Sequence, residues 1–367
     1  MEPAVLHIDS EKGWRGGQQQ AWYLYAALLE KGIKTGFICK SGTEFCKRLK
    51  KASLPHYPLP LKNELDIFSA FKIAGYAKKN NFNILHCHSS HALSAGLLAA
   101  KFNSELKVIG VRRVDFNING NFLSRKKYTS KNLKKIVCIS EAIKNVLIKN
   151  GISEDKINVI HSGIDLDRMK NGNGDKIKAE FGLNDEFIAG SVISLVGHKD
   201  PQNLVKAASI VCRKHENIKF LIAGDGYLKN ETEKMINDLG IAGKVILLGY
   251  REDVPDLMNA FDIFLMPSKM EGLGTSVLDA MSLGIPVVST NAGGITEAVK
   301  DDVNGIVVEK QDPEAFAKAI DTMISRKDLR KKYSENALKV VKKFDINRTV
   351  SKNIELYGSI LSEGDSR

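Results

Sequence analysis

Two carboxylates, Glu271 and Asp279, flank a loop that contains two glycines. An apolar run at residues 263–266 precedes the loop and is typical of a buried strand, and a helix is expected to begin near Thr275. The end of a strand, a glycine loop and a helix N-terminus together form an anion site. The reason is that unpaired backbone N–H groups and the positive end of the helix dipole point to the same place.

The two carboxylates indicate what accompanies the anion. A carboxylate does not help to bind phosphate, but it accepts hydrogen bonds from sugar hydroxyls. Here the phosphate-binding amides lie between two carboxylates that can each accept sugar hydroxyls. This arrangement predicts a nucleotide sugar, a ligand in which a diphosphate joins a sugar to a ribose. The next apolar run, at residues 287–290, leads into a second glycine loop at residues 293–297 that opens another helix.

Residues 268–288 resemble the signature of the retaining glycosyltransferases of sequence family four, which have the GT-B fold. In that signature two Glu residues are separated by seven residues and followed by a Gly-x-Pro segment. Here Glu271 matches the first Glu, and Asp279, one methylene shorter, stands at the second. Gly284 and Pro286 complete the pattern. The alternative is a glycine-rich turn of any α/β sheet, but the spacing and the second glycine loop together favour the family.

The resemblance implies a role for each residue of this loop. Glu271 accepts hydroxyls of the donor sugar. Asp279 lies four residues beyond Thr275, hence on the same helical face, and accepts the ribose hydroxyls. The other donor-binding residues are chain neighbours that offer amides or hydroxyls to the sugar and phosphates: Gly272, Leu273, Gly274, Thr275 and Ser276.

The reaction that the resemblance implies is metal-independent transfer with retention of configuration. The acceptor attacks on the front face, and the departing phosphate itself takes the acceptor proton. Catalysis then consists of positioning and charge stabilisation, and it requires no protein general base. We expect no cofactor and no metal ion, since the nucleotide sugar is a substrate.

Lys199 follows the apolar run at residues 187–195 and is a predicted catalytic cation. The family has an Arg at the position of Ser194 and a Lys at the position of Lys199, and both neutralise the departing diphosphate. Lys199 can supply such a charge, whereas Ser194 cannot. Either Arg15 substitutes for the missing Arg, or leaving-group stabilisation is weaker. For Lys199 the alternative is a solvated loop lysine.

Gly16 and Gly17 belong to the first glycine loop of the chain, at residues 13–18, together with Arg15. The loop follows the first expected strand and precedes a helix, so its amides can face phosphate. The paired glycines resemble those of the family, and all three residues are predicted to bind the donor. The loop does not match Gly-x-Gly-x-x-Gly, so a dinucleotide fingerprint is unsupported. A plain tight turn is the alternative.

Three histidines, His86, His88 and His91, stand close together in the chain. Their spacing is compatible with zinc, but no acidic cluster supports a metal site. The family has a His at the position of His88, where a strand ends near the transferred sugar, so His88 is predicted to be catalytic. His86 is expected in the core, and His91 is left unassigned. Residues 112–115 either border the acceptor site or form a structural ion pair.

Strands and helices alternate along the whole chain, which predicts an α/β protein with two parallel-sheet, Rossmann-like domains. The resemblance implies the GT-B arrangement, in which the domains face a central cleft and the C-terminal helix crosses back to the first domain. We expect an acceptor-binding domain at residues 1–168, a nucleotide-sugar-binding domain at residues 169–345 and the C-terminal helix at residues 346–367. A polar linker is predicted at residues 171–175.

Length and composition narrow the protein class. A chain of 367 residues with 43% hydrophobic residues is typical of a globular protein of two domains. No apolar run approaches the ~20 residues of a membrane span, and the N-terminus enters a strand without a leader, so a cytoplasmic protein is expected. Five cysteines occur without a Cys-x-x-Cys pair, and reduced thiols are expected.

The net charge of +11 is concentrated in the first half of the chain. Residues 1–165 contain 26 Lys and Arg against 13 Asp and Glu, whereas residues 166–367 contain 28 against 30. The basic runs are either solvated faces or a contact for an anionic partner, which is a phosphorylated acceptor or the inner face of the membrane. Nucleic acid is disfavoured, because aromatic residues are not interleaved with these runs.

The leading hypothesis is therefore a retaining hexosyltransferase that uses a nucleotide sugar and a glycan or lipid-linked acceptor in the synthesis of cell-surface polysaccharide or lipopolysaccharide. Its expected location is cytoplasmic, with electrostatic, peripheral attachment to the membrane as an additional hypothesis. Two alternatives remain. One is a nucleotide-sugar epimerase or a phosphorylase of the same fold. The other is a donor-binding partner subunit with decayed catalysis, which Ser194 and Asp279 alone support.

Overall fold

The computed structural model describes residues 2–116 and 126–362. The chain forms two compact units, one made of Met1–Gly163 together with Ile346–Arg367 and the other of Ile164–Asp345. The first unit thus combines residues from the beginning and from the end of the described part of the chain. The division falls between Gly163 and Ile164, slightly before the boundary expected at residue 168.

A seven-stranded parallel sheet forms the centre of the first unit, in the order β3-β2-β1-β4-β5-β6-β7. Its strands are β1 (Val5–Asp9), β2 (Thr35–Lys40), β3 (His56–Leu59), β4 (Ile84–Cys87), β5 (Lys107–Arg112), β6 (Leu133–Cys138) and β7 (Ile157–Val159). The helices between them are α1 (Gly16–Glu30), α2 (Glu44–Lys51), α3 (Ile67–Lys79), α4 (Ser90–Phe102) and α5 (Glu141–Lys149).

The second unit contains a six-stranded parallel sheet in the order β10-β9-β8-β11-β12-β13. Its strands are β8 (Phe187–Val192), β9 (Ile218–Ala223), β10 (Val245–Gly249), β11 (Ile263–Met266), β12 (Val287–Thr290) and β13 (Gly305–Val308). The helices are α6 (Gly174–Phe181), α7 (Pro201–Cys212), α8 (Lys229–Asp238), α9 (Val254–Asn259), α10 (Thr275–Ser282), α11 (Ile295–Ala298), α12 (Pro313–Ser325) and α13 (Lys327–Val340). The predicted pair of Rossmann-like parallel sheets is confirmed.

The last helix, α14 (Ile346–Ser362), packs into the core of the first unit. Its apolar stripe contains Val350, Leu356, Tyr357, Ile360 and Leu361, which share one cluster with residues of β1, β4 and α1. Together with the buried Asn353, these positions recur every three or four residues, so they lie on one helical face. The C-terminal segment therefore closes the core of the unit in which the chain begins.

In both sheets the chain order reverses beside the first strand of the unit, between β1 and β4 and between β8 and β11. Ligands of open parallel sheets bind at the carboxyl ends of the strands next to such a reversal. The loops that follow β1, β4, β8 and β11 hold the predicted site residues. Each sheet therefore places its predicted site residues at the carboxyl ends of its strands, where this type of fold binds ligands.

Residues 171–175 are not a linker. A Cβ atom at Gly172 would collide with the carbonyl of Pro255, and one at Gly174 would collide with the backbone of Asn259. Helix α6 begins at Gly174. The glycines thus allow this segment to lie directly against α9 within the second unit, and the prediction of a linker is wrong.

Cys39 of β2 and Cys46 of α2 form a disulfide, with their Cα atoms 5.7 Å apart. The expectation of reduced cysteines is wrong for this pair, whereas Cys87, Cys138 and Cys212 are free thiols. The pairing depends on how α2 packs against the sheet, which the spacing in the chain does not reveal. Among the described residues, no helix is both long and apolar enough to span a membrane.

Candidate active site

Lys199 and Glu271 form an ion pair at the reversal between β8 and β11. Lys199 ends the short helical turn Gly197–Lys199 that follows β8, and Glu271 lies in the loop after β11. Their side chains are only 18% and 12% exposed. Two loops that are distant in sequence thus bring together the predicted catalytic cation and the predicted sugar-binding carboxylate.

Backbone contacts hold these two loops in place. The amides of Lys269 and Met270 both donate to the carbonyl of His198, at 2.8 and 3.2 Å. The ammonium of Lys269 also lies 3.3 Å from the buried carboxylate of Asp200, at the start of α7. A second connection comes from the next glycine loop, because the amide of Gly294 donates to the carbonyl of Glu271 at 3.0 Å. The position of the Glu271 backbone is therefore fixed from two sides.

Gly274 sets the start of α10. Its φ of +77° lies in the left-handed region, which favours glycine. A Cβ atom here would lie 3.5 Å from Cγ of Glu271 and 3.3 Å from Val277. Thr275 and Ser276 are the first two residues of the helix, and amides at these positions have no partner within the helix itself. The predicted phosphate-binding amides therefore lie one short loop away from Glu271.

Asp279 lies one turn further along α10 and is 7% exposed. Burial raises the pKa of its carboxyl to about 6, while Arg168 opposes the rise and Asp165 adds to it. Nη1 of Arg168 is 3.9 Å from Oδ2, and Oδ1 is buried without a hydrogen-bond partner. A buried acceptor atom without a donor is suited to ligand hydroxyls, because an unsatisfied buried polar group costs free energy.

Arg168 was missed by the sequence analysis. It lies near the start of the second unit, far from α10 in the chain, and no motif spacing links the two positions. Ser194, which stands where the family has an Arg, brings no cation. Within the second unit the cations beside the loop are Lys199, Lys269 and Arg168. Arg15 belongs to the first unit, where it is exposed and occupies the N-cap position of α1 without a side-chain capping hydrogen bond.

In the first unit His88 lies just beyond β4 and is 3% exposed. Nη2 of Arg113 donates to Nδ1 of His88 at 3.4 Å, since a guanidinium has only donors. Nε2 of His88 therefore carries the proton and donates to Nδ1 of His7 at 2.9 Å. Burial, followed by the neighbouring histidines and Arg113, keeps the pKa of His88 well below its usual value. The ring is neutral, and both its nitrogens face protein groups.

Arg113 connects His88 to the first glycine loop. A Cβ atom at Gly17 would lie 3.2 Å from Cδ of Arg113, so the missing side chain at Gly17 makes room for this arginine. The carboxyl of Asp9, at the end of β1, has its pKa raised to about 6 by burial. It accepts from Nε2 of Gln18 at 3.3 Å. The polar groups beside the loop therefore include Arg113, which contacts His88, and the Asp9–Gln18 pair.

The three buried histidines His7, His86 and His88 place one ring nitrogen each within 4.8 Å of one another. The rings of His86 and His88 are stacked at 4.5 Å, and His7 stacks on His88 at 5.1 Å. Nε2 of His88 is already engaged as a donor to Nδ1 of His7, and Arg113 beside His88 repels a cation. Nδ1 of His86 is hydrogen-bonded to the hydroxyl of Tyr357 at 2.6 Å, which places His86 in the core as predicted.

The remaining polar residues singled out in the sequence lie at the surface of the first unit. His91 is exposed, with Nε2 3.8 Å from Glu64. Arg112 donates to the carbonyl of Val114 and to the hydroxyl of Tyr128, which gives it a structural role in this loop. The basic residue Arg125 lies outside the described residues.

Two family models match the chain. Residues 14–168 match the model described as Glycosyltransferase Family 4, and residues 173–340 match the model described as Glycosyl transferases group 1. The first match covers His88, and the second covers the Lys199–Glu271 pair and α10.

Individual proteins match over most of the chain. A UDP-Gal:alpha-D-GlcNAc-diphosphoundecaprenol alpha-1,3-galactosyltransferase of Escherichia coli is 28% identical over 96% of both chains. The crystal structure of a glycosyltransferase from Rickettsia africae has a TM-score of 0.87 and 27% identity, covering 98% of this chain and 99% of that one. The structure of HepE from Anabaena in complex with UDP has a TM-score of 0.86 and 20% identity, covering 97% and 100%.

Proposed function

Because the chain belongs to the glycosyltransferases of family four, we propose that it transfers a hexosyl group from a nucleotide sugar to a hydroxyl acceptor with retention of configuration. The single observation that carries this proposal is the Lys199–Glu271 ion pair beside the N-terminus of α10. It combines a cation for phosphate, a carboxylate for sugar hydroxyls and helix amides for an anion at one strand reversal.

The ion pair has a direct consequence for donor binding. A diphosphate that reaches the start of α10 competes with Glu271 for the ammonium of Lys199. When Lys199 turns to phosphate, the Glu271 carboxylate is released to accept hydroxyls of the transferred sugar. The same rearrangement thus moves Lys199 to the phosphate and leaves Glu271 for the sugar. The positive charge of Lys199 then stabilises the negative charge that grows on the leaving phosphate.

In the proposed step, the bond between the anomeric carbon and the β-phosphate oxygen breaks, and a bond to the acceptor oxygen forms on the same face of the sugar. The departing phosphate takes the acceptor proton, so the atoms and charges balance without a protein base. Asp279 holds the ribose through Oδ1, which has no partner within the protein. Gly272, Leu273 and Gly274 offer amides to the sugar and phosphates.

We favour a uridine diphosphate donor and an acceptor of the cell envelope. The Escherichia coli relative is described as using UDP-Gal as donor and a diphosphoundecaprenol-linked sugar as acceptor. A Staphylococcus aureus relative, 28% identical over 63% of this chain and 63% of its own, is described as a capsular polysaccharide biosynthesis glycosyltransferase. Solved structures with UDP and with UDP-glucose share the fold. These descriptions support the proposal, and the donor screen below tests it.

The proposed membrane contact rests on α2. Its residues Lys47, Lys50 and Lys51 are exposed, while Phe45 and Leu49 point into the core. Arg48 pairs with Glu44 at 2.9 Å and lies over the ring of Trp14, so it contributes less free charge. We propose a peripheral, salt-sensitive attachment of a cytoplasmic protein through this face, since each exposed basic residue contributes about 1 kcal/mol near an anionic surface.

A screen of UDP-, GDP- and ADP-sugars by thermal stabilisation tests the donor. A ligand present at 100 times its dissociation constant stabilises the folded protein by about 2.7 kcal/mol. The proposal predicts stabilisation by UDP-sugars and release of UDP when an acceptor is added. Stabilisation without any transfer or donor hydrolysis would favour the decayed partner subunit, and conversion of one UDP-sugar into another would favour the epimerase.

A further inference from the structure

We propose that a face of the first unit formed by α3 and α4 inserts apolar side chains into an anionic lipid bilayer. This insertion face consists of Leu65, which lies just before α3, together with Ile67, Phe68 and Phe71 of α3 and Phe102 of α4. It is separate from the basic run on α2, and it adds an apolar component to a contact that charge alone would make salt-sensitive. The inference does not depend on the proposed reaction, since binding to lipid can be measured without donor.

The five side chains of the insertion face are unusually exposed for their size. Leu65 is 73% exposed, and Phe68 and Phe71 are 60% and 64% exposed. Of the thirteen large apolar side chains that are exposed in the described residues, these five lie together, whereas the others are scattered over both units. Contiguous exposed apolar patches mark binding surfaces, while single exposed residues do not.

Helix α3 explains why the face is not part of the core. Its buried residues Ala70, Ile73, Ala74 and Ala77 recur at helical spacing and face inwards. The opposite side begins with Ile67, Phe68 and Phe71, so the helix is apolar on both sides of its first turns. The ring of Phe71 meets that of Phe102 edge to face at 5.8 Å, which joins the end of α4 to the same surface.

The charges around the insertion face select an anionic partner. Neither α3 nor α4 contains Asp or Glu, and the exposed basic residues on these helices are Lys72, Lys78, Lys79 and Lys101. The two carboxylates on either side of Leu65 are engaged within the protein, since Glu64 pairs with Lys127 at 2.8 Å and Asp66 accepts from the amide of Ser69 at the start of α3. The ammonium of Lys72 lies 4.5 Å from the centre of the Phe68 ring. A lysine that lies along an inserted aromatic ring can extend its ammonium to the level of the lipid headgroups.

An anionic bilayer fits these features better than a second copy of the chain. Two copies that met through the same face would bring their lysines together, and like charges repel. A bilayer supplies negative headgroups at the level of the lysines and an apolar interior for the aromatic rings. Aromatic residues and lysine at one face are the composition expected of an interfacial helix.

Sedimentation with vesicles tests the proposal. Wild-type protein is mixed with vesicles of phosphatidylglycerol and phosphatidylethanolamine, or with phosphatidylcholine alone. We expect binding to the anionic vesicles, with a part that persists at about 1 M salt, where the Debye length is only about 3 Å. The double variant Phe68→Ser, Phe71→Ser should bind at least roughly tenfold more weakly, because burial of aromatic side chains drives insertion.

The matched control is Leu239→Ser, Val303→Ser. These two residues are exposed apolar side chains of the second unit, 39% and 46% exposed, and the variant should bind vesicles as the wild type does. Circular dichroism checks that both variants fold. Equal binding by wild type and by the Phe68, Phe71 variant would overturn the proposal. So would a wild-type dimer in solution that this variant converts to a monomer, since the face would then be a contact between copies.

Fluorescence gives a second measurement that does not depend on loss of binding. A Phe71→Trp variant should show a blue-shifted emission with anionic vesicles relative to the wild type, whose Trp14 and Trp22 provide the background. A Val303→Trp variant should show no such shift. An unchanged Phe71→Trp spectrum on vesicles that sediment with the protein would contradict insertion and leave attachment by charge alone. The thermal stabilisation of the protein by a UDP-sugar should be the same in all these variants. A wrong donor assignment would therefore show in the donor screen and not in the vesicle experiments.

Discussion

The ammonium of Lys199 contacts the carboxylate of Glu271, although the two residues follow different strands and are separated by much of the second unit. The pair lies where the chain order of the sheet reverses, between β8 and β11. The two side chains neutralise each other within the protein. The pairing therefore connects donor binding to the release of the carboxylate that is proposed to hold the sugar.

Lys199→Ala should lower both donor affinity and kcat, because the charge on the leaving phosphate grows as the bond breaks. We expect kcat to fall roughly 100-fold or more. Isothermal calorimetry and turnover assays measure the two effects. Lys214→Ala is the matched control, since Lys214 is a more exposed lysine of the same unit that pairs with Asp321. Wild-type turnover in Lys199→Ala would show that another cation neutralises the leaving group.

Asp279→Asn should weaken donor binding and remove its dependence on pH near 6. Burial raises the pKa of Asp279 to about 6, so the charged acceptor is present above this pH and is lost as the pH falls through it. The loss of a charge-assisted hydrogen bond corresponds to about 1.5–3 kcal/mol. Calorimetric titration with the donor from pH 5 to about 8 measures this loss of affinity. Asp279→Glu, which restores the family's residue, should be tolerated and bind at least as tightly. Equal affinity of the wild type and Asp279→Asn above pH 7 would exclude the ribose role.

Arg168→Ala should raise the pKa of Asp279 further, because Arg168 opposes the effect of burial. The pH at which donor affinity is half lost should therefore move upwards, whereas Arg168→Lys should restore part of the wild-type profile. Affinity measured against pH distinguishes this electrostatic role from a purely structural one, which would lower affinity equally at every pH. An unshifted profile in Arg168→Ala would contradict it.

Motif spacing predicted the parts of the site that are local in sequence. Glu271, Thr275 and Asp279 follow one strand and begin one helix, so their arrangement is encoded in the spacing. Arg168 could not be found in this way, because its contact with Asp279 depends on packing within the folded unit. His7 was missed for the same reason, since β1 and β4 become neighbours only in the sheet.

The fold shows the same distinction between local and tertiary information. The apolar run at residues 263–266 became β11 with the same limits, and the first expected strand, before the glycine loop at residues 13–18, became β1. Helix α3 was not predicted, because Ile67, Phe68 and Phe71 lie opposite its buried face and obscure the helical period. The residues that obscured the helical pattern in the sequence belong to the proposed insertion face.

His88 and Arg113 should behave as one unit. Because Nδ1 of His88 accepts from Arg113, His88→Ala should act mainly by misplacing the guanidinium, and Arg113→Met should have a similar effect on kcat. The double variant should then be little worse than either single variant, since coupled residues are not additive. His88→Gln, which keeps an acceptor, should restore part of the activity. Additive losses in the double variant would show that His88 acts on its own.

Turnover and nucleotide binding of Glu271→Ala test the central claim most directly. The carboxylate is proposed to hold the sugar, and its removal also frees Lys199. We therefore predict that kcat for transfer falls roughly 100-fold or more, while calorimetry shows that UDP binds as tightly as to the wild type or more tightly. Wild-type kcat in Glu271→Ala, or loss of UDP binding together with activity, would contradict the account.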